Sequence, residues 1–374
     1  MSTGTASRYI GLMSGTSLDG VDGVICEFSQ DRPHRVTAFA SLDFPASLRA
    51  ELLALNTPGD NELHRAALAA NALSRVYAQV VQALLSQGGL ARADIRAIGA
   101  HGQTVRHRPG AFDGTGYTLQ LQNPALLAER TGIEVVADFR SRDVAAGGQG
   151  APLVPAFHLD WFGGSGRDIA LLNLGGIGNL SLLPAGGGAS GFDCGPANAL
   201  LDHWCQRHTG RNYDADGAWG AGGRIVPALL ESLLQEPFFS QPAPKSTGRD
   251  LFNPGWLDAR LGSFMDAAPV DVQATLAALT VQAAAQALLG AAPGTQALYV
   301  CGGGTLNGAL MQGLAQALPG IEVASTEALG LPPQQVEAAA FAWLARRCVE
   351  RLPGNLPAAT GAAGPRVLGA IYPA

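Results

Sequence analysis

Lysine is almost missing from this chain: Lys245 is the only one, and arginine makes up the rest of the 24 basic residues. Genome base composition is the ordinary source of such a bias, yet the bias has a chemical consequence. A Walker A loop needs a glycine–lysine–serine/threonine run, and a protein kinase needs its strand lysine. Neither can be built here, so nucleotide phosphates would have to be held by another device. Charge is scarce as well, at 14% of residues with a net value of −6. That leaves no concentrated basic surface for nucleic acid or for an anionic membrane. No apolar run reaches the roughly 18 residues of a membrane span. Residues 1–15 lack the charged stretch and apolar run of a secretory signal. The cysteines Cys26, Cys194, Cys205, Cys301 and Cys348 are odd in number and scattered, with no paired spacing and no disulfide framework. These absences lead us to expect a cytoplasmic protein without a nucleic-acid or membrane partner.

What is present is apolar material for two cores: 47% of 374 residues, spread along the whole length. Composition turns glycine-rich at residues 162–166, which places a boundary between a domain at 1–162 and another at 163–374. The C-terminal helix and tail are free to pack back on the first. Residues 9–14 and 21–28 read as strands around a glycine-rich turn, and Asn61 is placed to cap a long amphipathic helix ending at Gly88. A strand at 95–100 runs into a polar segment at 101–107, and another at 133–137 runs into the loop at 138–155. Residues 167–172 and 180–183 again flank a glycine turn, and Arg8-x-Ile10-x-Leu12 shares its spacing with Arg167-x-Ile169-x-Leu171. We read a duplicated α/β domain in which two hairpins clasp phosphates from both sides of a cleft.

Four constellations could carry chemistry. In Gly15-Thr16-Ser17-Leu18-Asp19-Gly20-Val21-Asp22 the glycines admit a phosphate to the backbone amides, and Asp19 and Asp22 are hard oxygen ligands suited to Mg²⁺. An ordinary Asp-Gly hairpin turn would look the same. Asp193 lies just before a helix running to about His208, where an acid also suits the helix dipole; the glycines around it leave room for a general base. Gly302, Gly303 and Gly304 follow a strand and offer a floor for adenosine. The segments at 101–107 and 138–143 mix donors and acceptors as a polyhydroxylated ligand requires. His203, Cys205 and His208 have metal-ligand chemistry but fan over a wide helical arc, which favours packing. Glu337, in the first turn of a helix, reads by pattern as a dipole partner.

Taken together, residues 11–22, 101–107, 138–140, 146–155, 173–179, 192–198 and 301–304 resemble the bacterial anhydro-N-acetylmuramic acid kinases, in the family's order and over nearly the whole chain. The resemblance implies the actin-like ATPase (sugar kinase–heat-shock–actin) fold, of α/β class, with a glycine-rich hairpin opening the mixed sheet of each lobe. It implies an enzyme using ATP and Mg²⁺ to open 1,6-anhydro-N-acetylmuramic acid with water and phosphorylate O6 in peptidoglycan recycling. Asp193 matches the family's base. Residues 15–22 with Gly175, Gly176, Gly178 and Asn179 match its phosphate turns, and Thr104, Arg140, Arg142 and Glu337 fall where it contacts sugar. The resemblance further suggests a homodimer. Cys194 departs from the hydroxyl or small residue often found at its position. The alternatives are a kinase of the same fold acting on another sugar, or a non-catalytic nucleotide-binding protein.

Overall fold

The computed structural model describes residues 6–15, 17–29 and 33–374, so Thr16 of the first glycine turn lies outside the described residues. By proximity the chain forms two units, Met1–Trp161 with Gln334–Ala374, and Phe162–Pro333.

The first unit is built on β1 (Ser7–Met13), β2 (Gly20–Phe28), β3 (Arg35–Asp43), β4 (Ala97–Ala100), β7 (Val135–Ala137) and β13 (Ala370–Tyr372). A separate ribbon pairs β5 (Gln103–Pro109) with β6 (Gly116–Leu121). The main sheet runs β13-β7-β4-β1-β2-β3, antiparallel from β1 to β3 and parallel from β1 through β4 to β7. Parallel neighbours need a crossover, and the helix Glu62–Gly88 supplies the one from β3 to β4. Its Leu73, Tyr77, Val81 and Leu84 share a buried core with Ile10, Leu12, Ile25 and Ile98. Side chains alternate along a strand, so Gly11 faces the other way. There the backbone of helix Val336–Val349 lies directly on the sheet: a Cβ at Gly11 would stand 1.8 Å from the Ala338 carbonyl oxygen, and one at Gly99 2.0 Å from that of Phe341. Neither position has room for a side chain: the helix meets Gly11 with the backbone of Ala338 and Ala342, and Gly99 with the Phe341 backbone and Ala345.

Two expectations change here. Asn61 does not cap the long helix; its backbone is left-handed (φ 52°) and its side chain makes no cap bond. Asn123 does cap the helix Pro124–Thr131, its Oδ1 accepting from the Leu126 amide at 3.0 Å. The polar segment at 101–107, into which the strand at 95–100 was expected to run, is itself largely the strand β5, because Gly102 (φ 78°) turns the chain at the end of β4 and β6 then pairs with it.

In the second unit β8 (Ile169–Leu174), β9 (Ile177–Leu183), β10 (Ser190–Pro196), β11 (Ala297–Cys301) and β12 (Glu322–Ser325) form a sheet ordered β10-β9-β8-β11-β12. The directions repeat those of the first, antiparallel across β8, β9 and β10 and parallel across β8, β11 and β12. This repeated mixed sheet, each copy opened by a glycine-rich hairpin, is the actin-like fold. The helix Pro269–Ala291 is long and apolar enough to cross a membrane by composition, yet half of its most apolar window is buried. Its Leu276, Leu279 and Leu288 sit in the unit's core with Leu172, Leu298 and Val300.

Strand register aligns the two copies residue by residue. Tyr9 pairs with Ala97 and Ile169 with Ala297, and the two parallel strands each end at a left-handed glycine, Gly102 and Gly302. Tyr9 is therefore the counterpart of Ile169. The shared arginine spacing, which equates Ile10 with Ile169, is one residue out, enough to exchange the two faces of a strand.

Candidate active site

In the second unit the candidate base is on a strand. Asp193 was expected beside a helix start, but it lies in β10 with its Cα opposite Asn179 of β9, which is in turn opposite Asn173 of β8. The helix begins later, at Asn198–Thr209. Residues directly opposite in an antiparallel pair share a face, so three polar side chains form a row across the hairpin and its neighbour. Asp193 is 6% exposed. The Thr247 amide donates to its Oδ2 at 2.8 Å, and its own N–H donates to the Lys245 carbonyl at 3.1 Å. Beyond Asp193 the pairing of β10 with β9 is irregular, the register shifting between Asp193 and Gly195. A Cβ at Gly195 would meet the Phe239 ring at 2.7 Å. Burial, reinforced by the Asp193 charge, pushes the Cys194 thiol up to about 12. That cysteine is therefore a neutral packing group and no rival nucleophile.

The turn of the second hairpin is tied down. Gly176 O accepts from the Ala197 and Ala199 amides and Gly175 O from that of Asn198, while the Asn198 side chain donates to Leu174 O at 2.9 Å. Gly178 is buried against Cys194 Sγ, and Asn179 keeps a buried Oδ1 without a hydrogen-bond partner. Of the glycine triplet, Gly302 and Gly304 are buried against Asn173 and Leu174 at the end of β8, and only Gly303 is exposed. The structure thus brings the glycine turn, Asp193 and the triplet to one end of this sheet.

The first hairpin is held differently. Ser14 Oγ donates to Gly102 O at 3.1 Å and so accepts from the Tyr77 hydroxyl at 2.9 Å. Gln103 Nε2 and the Leu18 amide both donate to Gly15 O. Leu18 (φ 58°) is buried in the core despite its place at the tip, as is Val21. Ser17 is half-buried and Asp19 exposed; the Asp19 carboxylate accepts from the Ser17 hydroxyl at 2.8 Å and the Gly20 amide at 3.0 Å. Asp22 is pushed up to about 6 by burial, opposed by a hydrogen bond from Ser41 and aided by the charges of Asp19 and Asp43.

Close to this hairpin, burial and the neighbouring Arg140 push His101 down to about 3. A neutral ring accepts at Nε2 from Arg140 at 3.0 and 3.2 Å, so Nδ1 carries the proton and donates to Ser14 O at 3.1 Å. Arg140 also donates to Gly150 O at 2.7 Å. Thr104 on β5 accepts from Gln120 Nε2 at 3.2 Å. Arg142 is exposed on the short helix Ser141–Ala145, and Glu337 is half-buried in the first turn of Val336–Val349. The sequence reading missed His101 and Tyr77 as supports of the hairpin and Lys245 as a neighbour of Asp193. For Lys245 the available signal was its rarity.

Comparison with known proteins gives one consistent result. The family model described as anhydro-N-acetylmuramic acid kinase matches residues 7–374. Proteins of that name from Variovorax paradoxus (strain S110) and Cupriavidus pinatubonensis (strain JMP 134 / LMG 1197) are each 60% identical. The first covers 98% of this chain and 99% of its own length, the second 98% of both. Solved structures are alike only weakly. Component A of the Acidaminococcus fermentans (R)-2-hydroxyglutaryl-CoA dehydratase matches at TM-score 0.49 and 10% identity, over 90% of this chain and 96% of that one. A ROK family glucokinase from Streptomyces griseus, in complex with glucose and AMPPNP, matches at 0.42 and 14%, over 91% and 100%.

Proposed function

The chain belongs to the anhydro-N-acetylmuramic acid kinase family, and from that premise we propose how its residues divide the work. It is an ATP-dependent kinase of amino-sugar recycling. Asp193 takes a proton from a water whose oxygen bonds to C1 of 1,6-anhydro-N-acetylmuramic acid, and the C1–O6 bond breaks. O6 then bonds to the γ-phosphorus as its bond to the bridging oxygen breaks, which yields ADP and N-acetylmuramic acid 6-phosphate. The observation that carries this assignment is a buried carboxylate on β10 oriented by the Thr247 amide, at the sheet end where the glycine turn lies.

The phosphates are assigned to residues 15–22 of the first unit and to Gly175, Gly176, Gly178 and Asn179 of the second, adenosine to Gly302–Gly304 with Gly303 as the exposed member. Among the described residues no cluster of three metal-binding side chains is present. Magnesium bound with a nucleotide needs only one or two carboxylates. Asp19 and Asp22 fit that need: they are hard oxygen donors on one turn, and the charge of Asp19 adds to the burial that raises Asp22. Once bound, the ion neutralises charge on the transferring phosphoryl group. Thr104, Arg140, Arg142 and Glu337 are assigned to the sugar; Arg140 is already braced by His101, and either guanidinium suits the lactyl carboxylate as a bidentate fork. We also read the enzyme as a cytoplasmic homodimer, and its five free, buried cysteines fit a reducing compartment.

A coupled ADP-release assay with the anhydro sugar beside ordinary hexoses tests the substrate. Turnover in ¹⁸O-water tests the chemistry: label at C1 is expected, and unlabelled product would replace water attack by direct transfer to a hydroxyl.

A further inference from the structure

Lys245 is buried (7% exposed) although residues 241–244 just before it are all exposed. Its ammonium donates to Phe238 O at 3.0 Å and Phe239 O at 3.1 Å, and lies 4.6 Å from the Phe238 ring centre and 5.9 Å from that of Phe192. Its main chain is also engaged, since Lys245 O receives the Asp193 amide and the Thr247 amide, two residues on, holds Asp193 Oδ2. One residue therefore anchors the segment that orients the carboxylate and places a cation within its electrostatic reach.

We infer that Lys245 is a positioning residue for Asp193, fixing the carboxylate through the 245–247 segment. The inference rests on Asp193 as the base. A cation near a buried carboxylate stabilises the charged state, and only that state accepts a proton from water. The ammonium's hydrogen-bond acceptors are two carbonyls of the Pro237–Ser240 helix, and the titratable groups acting on it through space are the Cys194 thiol and the Asp193 carboxylate of β10. Burial pushes the lysine down from its ordinary value, and the charge of Asp193 opposes that. A compact ammonium suits two carbonyls between aromatic rings; a guanidinium would bring five donors to the same space.

The test compares Lys245→Met, Lys245→Gln and Lys245→Arg with Asp193→Asn in the full-length enzyme. It reads thermal melting, KM for ATP, and kcat/KM for the anhydro sugar against pH. Lys245→Met is expected to lower kcat roughly tenfold or more with KM for ATP unchanged. Its acid limb should move up by at least about half a pH unit, because the carboxylate loses its cation. Lys245→Gln, which keeps N–H donors but no charge, shows the same shift and stands in if the methionine variant does not fold. Lys245→Arg returns the limb toward the wild-type position even where it melts lower. An acid limb unmoved in the folded methionine or glutamine variant overturns the inference while leaving the base assignment standing. Turnover retained by Asp193→Asn instead removes the base assignment, and this inference with it.

Discussion

The two units place their acids on different strands of equivalent sheets. In the first, the row across the hairpin is Met13, Asp22 and Ser41; in the second the register-matched row is Asn173, Asn179 and Asp193. The carboxylate moves from the middle strand to the third. Asp22, next to the turn, rises chiefly through burial, with the charges of Asp19 and Asp43 adding to it. Asp193 has an amide clamp and a lysine nearby, as a base that must stay ionised would. The hairpins differ to match: the second turn is short and bonded to the start of a helix, whereas the first is longer and anchored by Leu18, Gln103 and Tyr77. One topology thus holds its acid on the middle strand of the first hairpin sheet and on the third strand of the second.

The sharpest way to break this comparison is to neutralise each acid. Asp193→Asn should cut turnover by at least about a hundredfold while calorimetry still finds nucleotide bound. An equal loss in Asp22→Asn, with nucleotide binding and Mg²⁺ requirement unchanged, would erase the distinction between base and metal ligand. A second effect is on stability. Because folding raises Asp22 from 3.8 to about 6, its ionisation opposes folding. The wild type should lose stability as pH rises through that interval, relative to Asp22→Asn. The variant should be about 3 kcal/mol more stable at neutral pH and no better below the ordinary carboxylate value, read by melts across the range. The smallest effect tests the duplication itself. Corresponding crossover helices open on capping asparagines, Asn123 bonded to the Leu126 amide and Asn307 to that of Leu310. Asn123→Ala and Asn307→Ala should each cost about 1 kcal/mol in denaturant unfolding; sharply unequal costs would show that the matched helices are not energetically matched.

Much of the fold was legible because glycine turns and helical periodicity are local signals. Both hairpins, the Glu62–Gly88 helix and the strand before Gly302 lie close to where pattern places them. β10 was not legible: Ser-Gly-Phe-Asp-Cys-Gly-Pro is poor strand material, and pairing with β9 overrides its propensity. Local pattern also misleads at Asn61, where a favourable residue type stands before a helix without capping it. Of the candidate site, the glycines and Asp193 were visible as motifs. The Thr247 clamp and the Lys245 anchor come from residues more than fifty positions away, and no local pattern announces a contact of that range.

Glycine at 11 and 99 has one further consequence, through the helix that lies on both. Phe162–Pro333 is one uninterrupted stretch, whereas the first unit closes only when residues 334–374 arrive. On the ribosome, β1 and β4 emerge long before the helix that covers them. At about 5–20 residues per second the interval after β4 is roughly ten to fifty seconds. Through that time one face of the first sheet is without its cover, while every strand of the second has already been made by its end. Manufacture therefore inverts the written order: the unit encoded in the middle is completed first, and the one that opens the chain is finished last.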